Sequence, residues 1–178
     1  MKELLEVLIP RFFPKMKSGE HFLCVKHEGK SDLDTSIPQK LKAWNVPNDR
    51  FIILRDTDGA NCIDLKKRYI KICKDCRRED TLIRLVCQEL ESWYIGDLAA
   101  LSAAFTDPKL NSPVNRKRFI NPDEWVKPSS ELTRLIKSFQ KVSGARLMAE
   151  TLNMQGNRST SFNFFISGLT RVATEMGY

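Results

Sequence analysis

Asp56 and Asp58 stand two residues apart at the end of the apolar run Phe51-Ile52-Ile53-Leu54-Arg55, with Gly59 directly after them. On extended backbone, side chains two apart project to the same side, so the spacing predicts that both carboxylates converge on one point. Two unpaired carboxylates that close repel, and one of them titrates high unless a cation lies between them. Hard oxygen ligands with room for water suit Mg²⁺ or Mn²⁺, an ion that can activate water and neutralise a phosphoryl oxygen. The plainer alternative is that these aspartates cap the helix that follows, since Asp is favoured at N-caps and in turns.

Other groups could join them. Glu89 and Glu91 follow a second apolar run, Leu82 to Cys87, and could supply a ligand or a general base; strand alternation predicts that only one of the two faces the site. Glu28, in the turn-rich stretch His27 to Asp32 with Lys30 close by, is a third candidate ligand. Lys141 to Arg146 and Asn157 to Ser161 place Lys141, Arg146, Arg158 and Ser159 at predicted helix N-termini, where N–H groups and the helix dipole attract phosphate. Plain capping by Ser143 and Ser159 is the alternative. Cys73 and Cys76 have the spacing of half a zinc site, but no second Cys or His pair accompanies them and both fall on an apolar helix face, so they read as core. His21 and His27 lack matched partners and take no role.

The elements that must position these residues follow from periodicity. Leu5, Leu8, Ile9 and Phe12 mark one face of an N-terminal helix, with Pro10 and Pro14 expected to kink and end it. His21 to Lys26 reads as a strand, and Ser36-Ile37-Pro38 as the start of a helix reaching Trp44. Phe51 to Arg55 and Leu82 to Cys87 read as strands buried on both faces, joined by a helix carrying Cys62, Leu65, Tyr69, Ile72, Cys73 and Cys76 at steps of three and four. Strands alternating with helices predict a mostly parallel sheet flanked by helices, and ligands of such sheets bind beyond the carboxyl ends of the strands, where the acidic groups lie. Asp97 is a candidate N-cap. Thr106 to Pro128 is the longest loop candidate, and Ser130 to Phe139, Ser143 to Leu152 and Thr160 to Met176 give a helical C-terminal third. The organisation expected is one α/β domain over 1–178, with a core over 1–105 and a loop plus helical extension over 106–178.

Composition narrows the function classes. With 42% apolar and 29% charged residues the chain reads as globular. No apolar run approaches the roughly 20 residues that span a bilayer, and the acidic, amphipathic N-terminus is unlike a signal peptide. Five cysteines, an odd number scattered through apparent core, predict reduced thiols and a cytoplasmic location. The net charge of +7, concentrated at Lys66-Lys67-Arg68, Arg77-Arg78 and Arg116-Lys117-Arg118, makes polyanions plausible partners, with a merely solvated basic surface as the alternative.

Taken in order, His27-Glu28-Gly29-Lys30-Ser31-Asp32-Leu33, Leu54-Arg55-Asp56-Thr57-Asp58-Gly59, Gln88-Glu89-Leu90-Glu91-Ser92-Trp93-Tyr94, Asn121-Pro122-Asp123, Lys141 to Arg146 and Asn157 to Phe162 resemble the bacterial family known as domain of unknown function four-two-seven-six, which has a TOPRIM-like core. The resemblance covers nearly the whole chain. TOPRIM domains occur in topoisomerases, primases and OLD-type nucleases, and hold divalent metal with a glutamate after the first strand and an Asp-x-Asp after a later one. By this resemblance Asp56 and Asp58 are the aspartate pair. Relatives usually begin with a strand and a Glu-containing turn ahead of the helix that starts near Met1; that strand is expected to be missing, with Glu28 the only substitute for its glutamate and an open sheet edge as the consequence.

Three functions follow as expectations. One is a nuclease or phosphodiesterase dependent on Mg²⁺ or Mn²⁺, with Asp56 and Asp58 on the metal, Glu89 or Glu91 assisting, and Lys30, Lys141, Arg146, Arg158 and Ser159 on phosphate. Another is a non-catalytic partner of an ATPase, which the resemblance to phage-defence TOPRIM proteins implies. The last is a nucleic-acid binding module built on the basic stretch near Arg116.

Overall fold

Two five-residue strands form the centre of the molecule. In the computed structural model, which describes residues 1–178, β1 (Ile52–Asp56) and β2 (Leu82–Val86) pair in parallel, with Ile52 opposite Leu82 and Asp56 opposite Val86. Helix α1 (Lys2–Phe12) and helix α2 (Lys30–Ala43) precede them, and α3 (Cys62–Asp75) connects them. After β2 come α4 (Glu91–Gly96), α5 (Leu98–Ala104), α6 (Pro113–Arg118), α7 (Pro128–Leu135), α8 (Lys141–Thr151) and α9 (Thr160–Glu175). The fold is α/β, with a small parallel sheet and a helical C-terminal region. No helix is long and apolar enough to cross a membrane.

Strand alternation divides the core in two. Ile53 and Ile83 point toward α2 and α3, where Ile37, Leu41, Leu65, Tyr69 and Cys73 complete a small cluster. Ile52 and Leu54 point the other way and pack against the larger cluster, in which α1, α4, α5, α8 and α9 bury residues such as Leu8, Trp93, Leu101, Met148 and Phe165. Trp93 lies at its centre, fully buried, stacked 5.1 Å from Phe165 and edge-on at 5.2 Å to Phe162. Cys73 is buried in the small cluster and Cys76 is part-buried beside it, so both pack as core and all five thiols are free.

Several local expectations need correction. His21 to Lys26 is not a strand: its only sheet-like contact is an isolated bridge between Ser18 and Phe22. Leu23 and Val25 are 64% and 50% exposed, so this β-prone segment lacks the neighbouring strand that would hold it. Helix α2 starts at Lys30 instead of Ser36, taking in the supposed turn residues Ser31 and Asp32 and carrying Pro38 inside it. The stretch 106–128 is not a bare loop; it contains α6 and two 3₁₀ turns, Pro108–Asn111 and Pro122–Glu124, and Asp107 and Ser112 accept hydrogen bonds at helical starts.

Both faces of the strands are covered, as their apolar runs predict, but β1 pairs with β2 alone and its other edge is free. Leu82 N donates to Phe51 O and Thr57 N donates to Val86 O, so in parallel pairing Ile53 and Arg55 also direct their backbone toward β2, while Ile52, Leu54 and Asp56 direct theirs away. A cleft of about 1140 Å³ runs along that edge, walled by the segment around Leu23 and Val25, by α1 and by α9, and reaching Asp56, Asp58 and Lys141.

Candidate active site

Carboxylates gather where β1 and β2 end. Asp56 is the last residue of β1, directed toward the large cluster by the same alternation that sends Arg55 to the other face. Arg55 is buried, donates to Tyr69 Oη at 3.0 Å and lies 3.7 Å from Asp34, whose carboxylate also accepts the Tyr69 hydroxyl and pairs with Arg68 at 3.1 Å. Burial and the hydrogen bond to Asp34 push the Tyr69 hydroxyl up to about 12. This network anchors the strand end from behind.

After Asp56 the chain turns at once. Asp58 adopts φ +48°, off the extended backbone that the two-residue spacing assumed, and is exposed. The two aspartates therefore approach each other across a turn. A short ladder holds that turn to the one after β2: Asp58 N donates to Gln88 O at 3.0 Å and Gln88 N donates to Thr57 Oγ1 at 2.7 Å. Neither aspartate caps α3, whose N-cap is Asn61, accepting from Ile63 N and Asp64 N.

Gln88, at φ +60°, ends strand geometry before the glutamates, so alternation does not govern them. Both reach the same ammonium: Lys141 Nζ lies 3.4 Å from Glu89 and 3.9 Å from Glu91. Glu91 is 4% exposed at the start of α4. Glu89 also accepts from Ser129 N at 2.9 Å, tying α7 to the site.

The electrostatics follow from this crowding. Asp56 is pushed up to about 7 by burial and then by the charges of Glu91 and Asp58, with the Met1 amine and Lys141 pulling weakly the other way. Its Oδ1 is buried with no hydrogen-bond partner. Burial raises Glu91 as well, against Lys141. Burial works to raise Glu89, but hydrogen bonds from Ser129 and the charge of Lys141 outweigh it and hold it low. Lys141 is raised, the two glutamates prevailing over its own burial. Tyr94, to which the sequence pattern assigns no role, has a buried hydroxyl without a partner, and burial followed by Glu91 and Asp56 raises it well above its ordinary value. An unassigned aromatic beside two acidic positions was its only signal.

The remaining expected site residues lie elsewhere. Glu28 is exposed in the approach to α2 and does not line the cleft that Asp56 lines; only its backbone N–H is engaged, by Asp32. Lys30 is an exposed first-turn residue of α2 at the cleft. Arg146 is paired with Glu3 at 2.8 Å, and Arg158 donates to Arg116 O at 2.6 Å. Ser159 is fully buried and cannot cradle phosphate: it caps α9 through Phe162 N and donates to Asp123, whose carboxylate also accepts from Ser161 N. The α9 N-terminus thus already holds a carboxylate from its own chain.

The donor chemistry fits a hard divalent cation at Asp56 and Asp58, because an orphaned buried carboxylate oxygen beside a second carboxylate is what such an ion satisfies. No three carboxylate, imidazole or thiol groups converge as a ready ligand set, so the remaining positions would go to water. A parallel α/β sheet with an acidic pocket at its strand ends belongs to the class of folds that place ligands beyond the strand carboxyl ends. Within that class, residues 1–170 match the family described as Domain of unknown function (DUF4276), and the chain belongs to it. No curated protein and no solved structure matches it.

Proposed function

We propose that this protein is a TOPRIM-like, divalent-cation-dependent phosphodiesterase acting on nucleic acid, with Asp56 and Asp58 as the cation ligands. One observation carries the reading: Asp56 stands half-buried at the end of a parallel strand, its Oδ1 is buried without a hydrogen-bond partner, and two like charges crowd it. A stability-driven sequence would replace such a group, since an unsatisfied buried carboxylate costs several kcal/mol on the order of magnitude of buried ion desolvation. The free edge of β1 supports the TOPRIM-like part, because the cleft along it is where a further parallel strand would lie.

A bound Mg²⁺ or Mn²⁺ would neutralise phosphoryl oxygens and lower the pKa of a water. The chain's own groups do the rest. Lys141, between Glu89 and Glu91, is the cation positioned to meet a phosphate oxygen. Glu91, held high by burial, can take a proton more readily than an ordinary glutamate. Glu89, fixed by Ser129, orients Lys141. Arg55, Tyr69 and Asp34 keep the strand end rigid.

Among single- and double-stranded DNA and RNA incubated with Mg²⁺ or Mn²⁺, at least one should be cleaved by the wild-type chain and left intact by the Asp56→Ala, Asp58→Ala variant. Cleavage that persists in that variant rejects the assignment. Titration of Mn²⁺ followed by its electron paramagnetic resonance signal should show binding that the same variant loses.

A further inference from the structure

A second concavity, of about 780 Å³, lies between the end of α6 and α7, lined by Arg118, Asn121, Trp125, Lys127, Ser130 and Arg134 among others. Its wall is built around Glu131, which is only 6% exposed and accepts from Arg118 Nη2 at 2.5 Å and Arg134 Nη1 at 2.7 Å. A buried carboxylate shared by two arginines fixes both guanidinium groups before any ligand arrives, sparing the ordering cost that flexible surface side chains would add on binding. Arg118 lies over two rings, 5.2 Å from the centroid of Trp125 and 5.1 Å from that of Phe119. Ile120 and Val126, 64% and 73% exposed, add apolar surface at the rim that serves no packing purpose in the chain itself.

The charge around this aromatic platform is positive. Arg116, Lys117 and Arg118 form the last turn of α6; Arg118 lines the concavity together with Lys127 and Arg134, and Arg116 and Lys117 precede it on the same turn. Of the acidic groups in the same stretch, Glu131 is buried in its double ion pair and Asp123 is turned to Ser159 and Ser161, which leaves Glu124 as the one open carboxylate. Flat π-faced groups fixed in a cationic concavity suit unpaired bases, which stack on aromatic and guanidinium planes while lysines meet the phosphates. A duplex keeps its base faces hidden, and acidic side chains bring no aromatic ring to stack on the platform.

Helix α7 connects this concavity with the acidic site. Ser129 at its first turn is bound by Glu89, and Ser130 and Arg134 line the concavity; at the helical rise, Ser129 and Arg134 are about 7.5 Å apart along the axis. We propose that this concavity binds single-stranded nucleic acid, with bases on the Arg118 and Trp125 planes and phosphates on the Arg116–Arg118 run and Lys127. It deepens the phosphodiesterase reading by naming the substrate as single-stranded, and as a route to the acidic pocket it rests on that reading.

The test is fluorescence anisotropy of the full chain with labelled single-stranded oligonucleotides and the matching duplex, in EDTA so that no cleavage occurs. Single strands should bind at least tenfold more tightly than duplex, with an affinity that falls steeply as salt rises. Trp125→Ala should weaken binding roughly tenfold, the scale of one lost base stack. Lys117→Glu with Lys127→Glu, both exposed, should weaken it by a similar factor and flatten the salt dependence; this pair decides the matter if Trp125→Ala fails to fold. Equal affinity for duplex, equal affinity for polyglutamate, or wild-type binding by the lysine pair overturns the inference. Loss of binding in EDTA strikes this inference alone, whereas loss of cleavage with intact binding strikes the phosphodiesterase reading alone.

Discussion

Asp56→Asn removes a charge that burial and two neighbouring carboxylates penalise while keeping the side chain's size. The carboxyl titrates at about 7 in the fold against an ordinary 3.8, and each unit of such a shift corresponds to about 1.4 kcal/mol. The upper bound is therefore about 4 kcal/mol, and water admitted by local relaxation brings the expected value to about 2–4 kcal/mol. Because the folded value is the higher one, the penalty is absent below the ordinary value of 3.8 and grows until pH passes about 7. Wild type should thus lose stability relative to Asp56→Asn between pH 4 and pH 7, and the difference should then level off. At pH 8 without divalent ions the variant should be more stable, melting roughly 4–16 °C higher for a chain of this length. Urea unfolding at intervals from pH 4.5 to pH 8, with EDTA and then with Mn²⁺, measures both effects. Mn²⁺ should raise the stability of wild type at pH 8 and leave the variant unchanged, since only the native wild-type site gains the ligand. A variant less stable than wild type at pH 8 in EDTA, or a difference that does not change with pH, would refute the argument that Asp56 is a buried charge awaiting a cation.

Two further substitutions probe the scaffold around the site. Gly96→Ala would place a Cβ 2.2 Å from Asn157 Oδ1 and 3.0 Å from Ser159 N, displacing the residue that ties α4 to the start of α9. Thermal denaturation should show a loss of about 1–3 kcal/mol despite Ala's better helix propensity, and a neutral result would mean that Asn157 moves freely. Tyr69→Phe removes the hydroxyl that accepts from the buried Arg55 and donates to Asp34, so urea unfolding should show a loss of about 1–3 kcal/mol. No loss would show that Arg55 and Asp34 close the gap by pairing directly.

Much of the architecture could be read from local pattern, because short apolar runs and residues at steps of three and four report which faces must leave water. Phe51 to Arg55 and Leu82 to Cys87 locate both strands to within a residue, and Cys62 to Cys76 locates the helix between them. Asp97 also caps α5 as its type suggested, accepting from Ala100 N. The segment His21 to Lys26 shows the limit of this reasoning: its residues favour a strand, but a strand needs a partner, and pairing is a property of the whole sheet. Ser159 shows it too, since a serine at a helix start is equally suited to a phosphate or a cap, and only the arrival of Asp123 from 36 positions away decides between them.

For the acidic pocket the division is sharper. Residue type and position at the strand ends singled out Asp56, Asp58, Glu89 and Glu91, because in a parallel α/β sheet those ends face the ligand side. Spacing could not say how they meet: Asp58 leaves extended geometry at φ +48° and Gln88 does so at φ +60°, which brings both glutamates to Lys141. Nor could it reveal that Asp56 Oδ1 and the Tyr94 hydroxyl are buried without partners, since burial is set by α1, α4 and α8 closing over them. Sequence determined which chemical groups stand at the ends of the strands, through patterns that act over a few residues. Tertiary structure alone decided their ionisation and their neighbours, because electric fields and exclusion of water depend on chain segments far apart in the sequence.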